Sequence, residues 1–158
     1  MPKVVGVSDM LVSKNPDDVI VTHSLGSCIG VAVYDPAAGV GGLLHYQLPL
    51  SRDNPERALN NPYMFADTGV PALFRACYEL GASKQRMIVK IAGGSTTLDT
   101  NGFFNIGQRN YITLRKILWK NGVLIAAEDI GGNSWRTMFL SVGTGSVRLK
   151  TNRGEFLL

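Results

Sequence analysis

Paired glycines cut this chain into short apolar runs, and that punctuation limits its possible folds more than any other feature. Gly93-Gly94, Gly131-Gly132 and Gly143-Thr144-Gly145 each stand between such runs. Glycine supplies the backbone conformations of tight turns and weakens helix interiors. The chain holds 18 glycines in 158 residues, about 11% against a usual ~7%. Many short strands joined by tight turns are therefore expected, in one domain spanning residues 1–158.

The runs themselves read as β. Residues from Val4 alternate loosely until Asn15-Pro16-Asp17-Asp18 interrupts, which predicts a short strand pair and a turn. Val19-Ile20-Val21-Thr22 is β-branched, residues 28–34 continue it as far as Asp35-Pro36, and residues 40–48 end at Pro49. These three runs are expected to be neighbours, the middle one central because it is apolar on both sides. Residues 86–92 and 123–130 predict two more strands, and three final runs have the spacing of an antiparallel meander.

Two segments are helical in pattern. Asp67 or Thr68 offers N-cap chemistry for a helix to about Leu80, with Pro71 in its first turn and Gly81 as its stop. Leu73, Ala76, Cys77 and Leu80 share one face of it. Asn105 is placed to cap a second helix, with Tyr111, Leu114, Ile117 and Leu118 inward and Asn121-Gly122 as the stop. Residues 51–62, polar and proline-bearing, read as a long surface loop. The expected class is α+β: a layered α/β sandwich with a β-sandwich-like core of about eight or more strands, flanked by two main helices.

Composition narrows the function. The net charge is +4, yet no run of even three basic residues occurs, so a nucleic-acid partner is not expected. No apolar stretch reaches the ~18–20 residues needed to span a bilayer, and the N-terminus has no signal-like core. A soluble cytoplasmic protein without membrane insertion is expected. Two cysteines and two histidines lack metal-ligand spacing, so neither a disulfide framework nor a metal is anticipated. No segment matches a phosphate-binding or dinucleotide-binding glycine motif, and Asp67, Glu128 and Asp129 form no evident carboxylate pair.

Cysteine is the remaining source of chemistry. Cys77 lies at helical spacing among apolar residues and reads as core. Cys28 opens an apolar strand directly after Gly26-Ser27, a turn that projects a thiol and leaves backbone N–H groups at Gly26 and Ser27 to receive an oxyanion. Such a nucleophile needs a base and a group to orient it. His45, in the apolar run Gly42-Leu43-Leu44-His45-Tyr46, is an odd choice for packing, while His23 lies in the same loop as Cys28 and competes as a base. Thr22 completes a workable cysteine-hydrolase triad with Cys28 and His45.

Six separated segments then carry a resemblance that covers essentially the whole chain. They are Val21-Thr22-His23-Ser24-Leu25-Gly26-Ser27-Cys28, Leu44-His45-Tyr46-Gln47-Leu48-Pro49, Phe65-Ala66-Asp67-Thr68, Lys90-Ile91-Ala92-Gly93-Gly94, Asn105-Ile106-Gly107-Gln108-Arg109-Asn110 and Ala127-Glu128-Asp129-Ile130-Gly131-Gly132-Asn133. In this order they resemble the CheD family of chemoreceptor glutamine deamidases. The resemblance implies an amidohydrolase, without cofactor, that converts glutamines on the cytoplasmic helices of chemotaxis receptors to glutamate. It implies Cys28 as nucleophile, His45 as base and Thr22 as the third member. It also implies a fold similar to bacterial toxin glutamine deamidases, and a CheC-type phosphatase as a partner in some members. Arg52 and Arg57 are candidates for docking on an acidic receptor face.

Overall fold

The structure, a computed structural model, describes residues 1–96 and 105–158. Their strands form two five-stranded sheets. One sheet contains β1 (Lys3–Val5), β3 (Val19–Leu25), β8 (Arg136–Ser141), β9 (Val147–Thr151) and β10 (Gly154–Leu157), in the order β1-β3-β8-β9-β10. The other contains β2 (Asp9–Ser13), β4 (Ile29–Asp35), β5 (Val40–Tyr46), β6 (Ile88–Gly93) and β7 (Ile125–Ile130), in the order β2-β5-β4-β6-β7. Helices α1 (Pro55–Asn60), α2 (Ala66–Glu79) and α3 (Ile106–Lys120) complete an α+β layered fold.

Alternation along β4 and β5 explains the layers, because successive strand residues face opposite sides of a sheet. Ile29, Val31 and Val33 of β4 and Leu44 and Tyr46 of β5 join Val70, Leu73, Cys77, Leu114 and Leu118 in a core under the helices. Ala32 and Leu43 face the other way and join Ile20, Leu25, Met138, Leu140 and Leu149 in a core between the sheets. Every residue of β4 and β5 is buried, as both faces are covered. A Cβ on Gly42 would stand 2.9 Å from Leu73 Cδ1 and 3.2 Å from Cys77 Sγ, so α2 rests directly on β5 where the strand carries no side chain.

The expected class, the central place of β4 and the closing meander β8-β9-β10 match the structure. Both helix stops match too. Gly81 N–H donates to Tyr78 O and Ala82 N–H to Cys77 O; Gly122 N–H donates to Trp119 O and Val123 N–H to Leu118 O. These are paired Schellman closures around left-handed glycines. No described helix is long and apolar enough to cross a membrane.

Four local expectations are corrected. β1 and β2 do not pair with each other: β1 runs parallel to β3 and β2 antiparallel to β5, in different sheets. β3 is likewise not a sheet neighbour of β4, because the chain crosses between sheets at residues 26–28. Residues 51–62 are not an irregular loop; they hold a 3₁₀ turn and α1, whose N-cap Asn54 accepts from Arg57 N–H, and a second 3₁₀ turn begins at Pro62. Helix α2 starts at Ala66 with Phe65 as its N-cap, so Pro71 sits in the second turn. Asp67 instead accepts from Ser51 N–H and Oγ, and Thr68 donates to Pro62 O, fixing the preceding segment rather than capping the helix. At α3, Asn105 does stand at the N-cap, but in a left-handed conformation without a side-chain bond to the helix backbone.

Candidate active site

A bulge in β3 builds the first wall of the site. Thr22 pairs with Met138, and the next pair is Leu25 with Arg136, so β3 spends one residue more than β8 over this step. Ser24 takes the left-handed conformation that the extra residue requires, at φ 59°. As a result Thr22 and Leu25 both point inward, while His23 and Ser24 are exposed. This separates the two histidines, because His45 is fully buried.

His45 lies on the face of β5 that looks toward the other sheet, which it shares with Leu43. Its Nδ1 is 2.7 Å from Thr22 Oγ1, a contact made across the gap between the sheets. The Thr22 hydroxyl also donates to Val5 O at 2.8 Å. A hydroxyl has one proton, and a carbonyl only accepts, so that proton is committed to Val5. Nδ1–H must therefore donate to Thr22 Oγ1, which leaves the lone pair on Nε2. His45 Nε2 is buried and has no hydrogen-bond partner among the described residues. A buried acceptor without a partner is costly, and here it is the atom a general base uses.

Cys28 stands just before β4, whose Gly30 pairs directly with His45. Cys28 itself lies in the bend before the strand and packs against the core between the sheets, the side toward which Gly30 faces Met138 and Leu25. Cys28 and His45 thus share the inter-sheet face, flanking a position that has no side chain. The turn carrying Cys28 is held by its carbonyls. Ser95 N–H donates to Gly26 O, Gly94 N–H to Cys28 O and Asn110 Nδ2 to Ser27 O, each at 2.9 Å. Gly93, at φ 119°, leaves room for this approach: a Cβ there would lie 2.2 Å from Cys28 O. With the carbonyls bound from one side, the Ser27 and Cys28 N–H groups donate to no other residue among those described, whereas the Gly26 N–H, expected beside Ser27 as an oxyanion donor, is spent on Ser24 O at 3.0 Å and Cys28 takes its place.

Burial sets the protonation states. It pushes the Cys28 thiol up to about 11, against a smaller pull from its own backbone N–H. It pushes the His45 imidazole down to about 4. At neutral pH the pair is thiol and neutral imidazole, with the base in its proton-accepting form.

Sequence reasoning missed the supports of this turn. Arg136, 2% exposed, donates to Asp129 (2.9 Å), Gly93 O (3.2 Å), Ser95 Oγ (3.0 Å) and Gly131 O (2.9 Å). It thereby braces the Gly93–Ser95 segment that in turn grips Cys28. Asn110 is equally buried and also donates to Gln47 O at 2.8 Å. The other candidates lie apart: Arg52 and Arg57 are exposed, and Asp129 is engaged by Arg136 and Arg153. Cys77 is in the core beneath the helices. Among the described residues, no three His, Cys, Asp or Glu side chains converge to hold a metal ion.

Comparison with known proteins identifies the family. Residues 47–151 match the CheD family model, described as CheD chemotactic sensory transduction. A relative from Syntrophus aciditrophicus, named probable chemoreceptor glutamine deamidase CheD 1, is 54% identical over 151 residues, covering 96% of this chain and 94% of that protein. Proteins named probable chemoreceptor glutamine deamidase CheD from Solibacter usitatus and CheD 2 from Anaeromyxobacter dehalogenans are 49% and 46% identical, covering 94% and 93% of this chain and 88% and 92% of theirs. The family match begins after His45, whereas these relatives extend across the segment from Thr22 to His45. A crystal structure of the Neisseria meningitidis DUF152 protein NMB0706 superposes with TM-score 0.48 at 12% identity, covering 83% of this chain and 63% of that one.

Proposed function

The chain belongs to the CheD family, and from that premise we propose that it is a chemoreceptor glutamine deamidase whose nucleophile is Cys28, whose base is His45 and whose orienting group is Thr22. The observation that carries the assignment is the buried, unpartnered Nε2 of His45 on the same sheet face as Cys28. Thr22 holds the opposite ring nitrogen and so selects the tautomer.

The residues perform the reaction in two halves. His45 Nε2 takes the thiol proton as Cys28 Sγ attacks the side-chain amide carbon of a glutamine, and the carbonyl electrons move onto oxygen. The Ser27 and Cys28 N–H groups, together with the Gly26 turn that presents them, stabilise that oxyanion. As the tetrahedral species collapses, the C–N bond breaks and the proton on Nε2 leaves with nitrogen as ammonia. The product of this half is a thioester on Cys28. Water then attacks it, giving its proton to Nε2; the C–S bond breaks, the thiol is re-formed and glutamate departs. With a high thiol value and a low imidazole value, proton transfer accompanies attack instead of preceding it.

The substrate in this reading is a glutamine on the cytoplasmic helices of a chemotaxis receptor, which places the protein in the cytoplasm. A CheC-type phosphatase is a further partner in the proposal. The test is peptide mass spectrometry of a receptor fragment incubated with wild type, Cys28→Ala and His45→Ala. Glutamine-to-glutamate conversion adds about one dalton per site and needs no cofactor. Conversion by wild type alone supports the assignment. No conversion on any receptor fragment, with a CheC-type phosphatase still bound, replaces it with a regulatory binding module.

A further inference from the structure

Asn110 is a buried side chain that the triad does not use, yet it touches both of the segments that carry it. It projects from α3, fully buried, and its Nδ2 donates at once to Ser27 O at 2.9 Å and Gln47 O at 2.8 Å. Ser27 immediately precedes the nucleophile, and Gln47 stands two residues beyond the base. The backbone closes the same loop, because the buried Tyr46 hydroxyl donates to Asn110 O at 2.6 Å. Two carbonyl partners fix the amide orientation, since only an NH₂ group satisfies both. That orientation leaves Asn110 Oδ1 buried without a hydrogen-bond partner among the described residues.

An orphaned buried acceptor opposes stability, so this amide is not explained by packing alone. What it achieves is a fixed separation between the Cys28 turn and the end of β5. No β-ladder supplies this: the β4–β5 pairing starts at Ile29–Tyr46, and both Ser27 and Gln47 lie outside it. We propose that Asn110 is a positioning residue, an amide staple that locks the nucleophile turn to the strand of the base and keeps Cys28 desolvated against the inter-sheet core. It acts through Cys28 and His45 without touching the reacting atoms. Its effect on turnover rests on the deamidase reading; its effect on the turn does not.

The experiment uses Asn110→Ala and Asn110→Asp. The second keeps the shape but sets a carboxylate oxygen against two carbonyls, which repel it. Each folded variant is treated with iodoacetamide, and alkylation of Cys28 and Cys77 is followed separately by peptide mass spectrometry. Cys77, fully buried in the other core, is the internal reference for global opening. Kinetics of deamidation on a receptor fragment are measured in parallel.

The expected result is Cys28 alkylation at least tenfold faster than in wild type with Cys77 within twofold, while kcat falls about 50-fold and KM stays within threefold. A thiol that becomes more accessible but less productive is the signature of lost positioning. Equal acceleration at both cysteines, or a Cys28 rate within twofold of wild type, overturns the proposal. If neither variant folds, Tyr46→Phe, which removes only the hydroxyl bound to Asn110, is read by the same two rates, with at least a threefold rise expected at Cys28 alone. If wild type deamidates no receptor fragment, the deamidase reading fails and the staple is still judged by the cysteine contrast.

Discussion

The β4–β5 hairpin has a buried polar residue at each end, and the two ends are built in opposite ways. At the closed end, Asp35 is fully buried and accepts from Ala37 N–H (2.9 Å), Ala38 N–H (3.1 Å), Ser83 N–H (2.8 Å) and the Arg86 guanidinium (3.0 Å). Burial opposes its charge, but the Arg86 and backbone donors outweigh it and hold the carboxyl well below the usual range. At the open end, about 17 Å along the strand, His45 has one nitrogen bonded to Thr22 and the other bonded to nothing among the described residues. A complete set of partners makes a polar group inert. Leaving one lone pair without a partner costs stability and creates a base.

The comparison is broken most sharply by exchanging which property is lost. Cys28→Ser is expected to stay folded within about 1 kcal/mol of wild type while deamidation drops by at least about 10⁴-fold, as for other nucleophile replacements. Receptor mass spectrometry beside a thermal melt checks both halves. Asp35→Ala is expected to do the reverse, costing about 3 kcal/mol because the inward donors and Arg86 lose their shared acceptor. Its turnover per folded molecule should match wild type. A fall in turnover beyond threefold would show that the two ends are mechanically coupled.

Thr22→Val is the intermediate case. It keeps the shape, removes the acceptor of His45 Nδ1–H and leaves Val5 O without its donor. A loss of about 30-fold in kcat is expected, since the ring then has no fixed tautomer. Thr22→Ser should recover most of it, because Ser retains the hydroxyl; equal loss in both would assign Thr22 to packing alone.

What could be read in advance follows the range of each interaction. Cys28 and His45 stood out because a thiol after Gly26-Ser27 and an imidazole inside an apolar run are locally anomalous. The centrality of β4 was legible from apolar residues on both faces, and Gly81 and Gly122 announced their helix ends through backbone conformation. The sheet to which β3 belongs was not legible, because its alternation buries the same residues against either neighbour. The bulge at Ser24 was hidden as well, since serine carries no left-handed preference. Asn110 and Arg136 read as ordinary polar residues; Asn110 meets Ser27 across 83 residues and Arg136 meets Gly93 across 43, so only the assembled fold makes them neighbours. The start of α2 was misplaced because Asp67 spends its carboxylate on Ser51, a partner outside the helix.

The smallest expected effect separates the two ends by pH. His45 is held at about 4 in the folded protein against 6.5 for an ordinary imidazole, so the unfolded chain binds the additional proton. Its contribution is therefore complete above pH 6.5 and declines as pH falls from there to about 4, below which it is constant. Asp35 has the other sign of charge but the same direction of loss. Its carboxyl is depressed in the fold, so its contribution is intact above the ordinary carboxylate value near 3.8 and is lost only as pH falls below it. Urea unfolding of wild type should accordingly weaken by about 1 kcal/mol between pH 7 and pH 5.5, from His45 alone. His45→Gln should flatten that interval while keeping the loss below pH 4, and Asp35→Asn should keep the interval while reducing the loss below pH 4. A wild-type curve flat from pH 7 to 5.5 would mean that His45 takes up its proton inside the fold, and the contrast between a finished end and an unfinished one would fail at its chemical core.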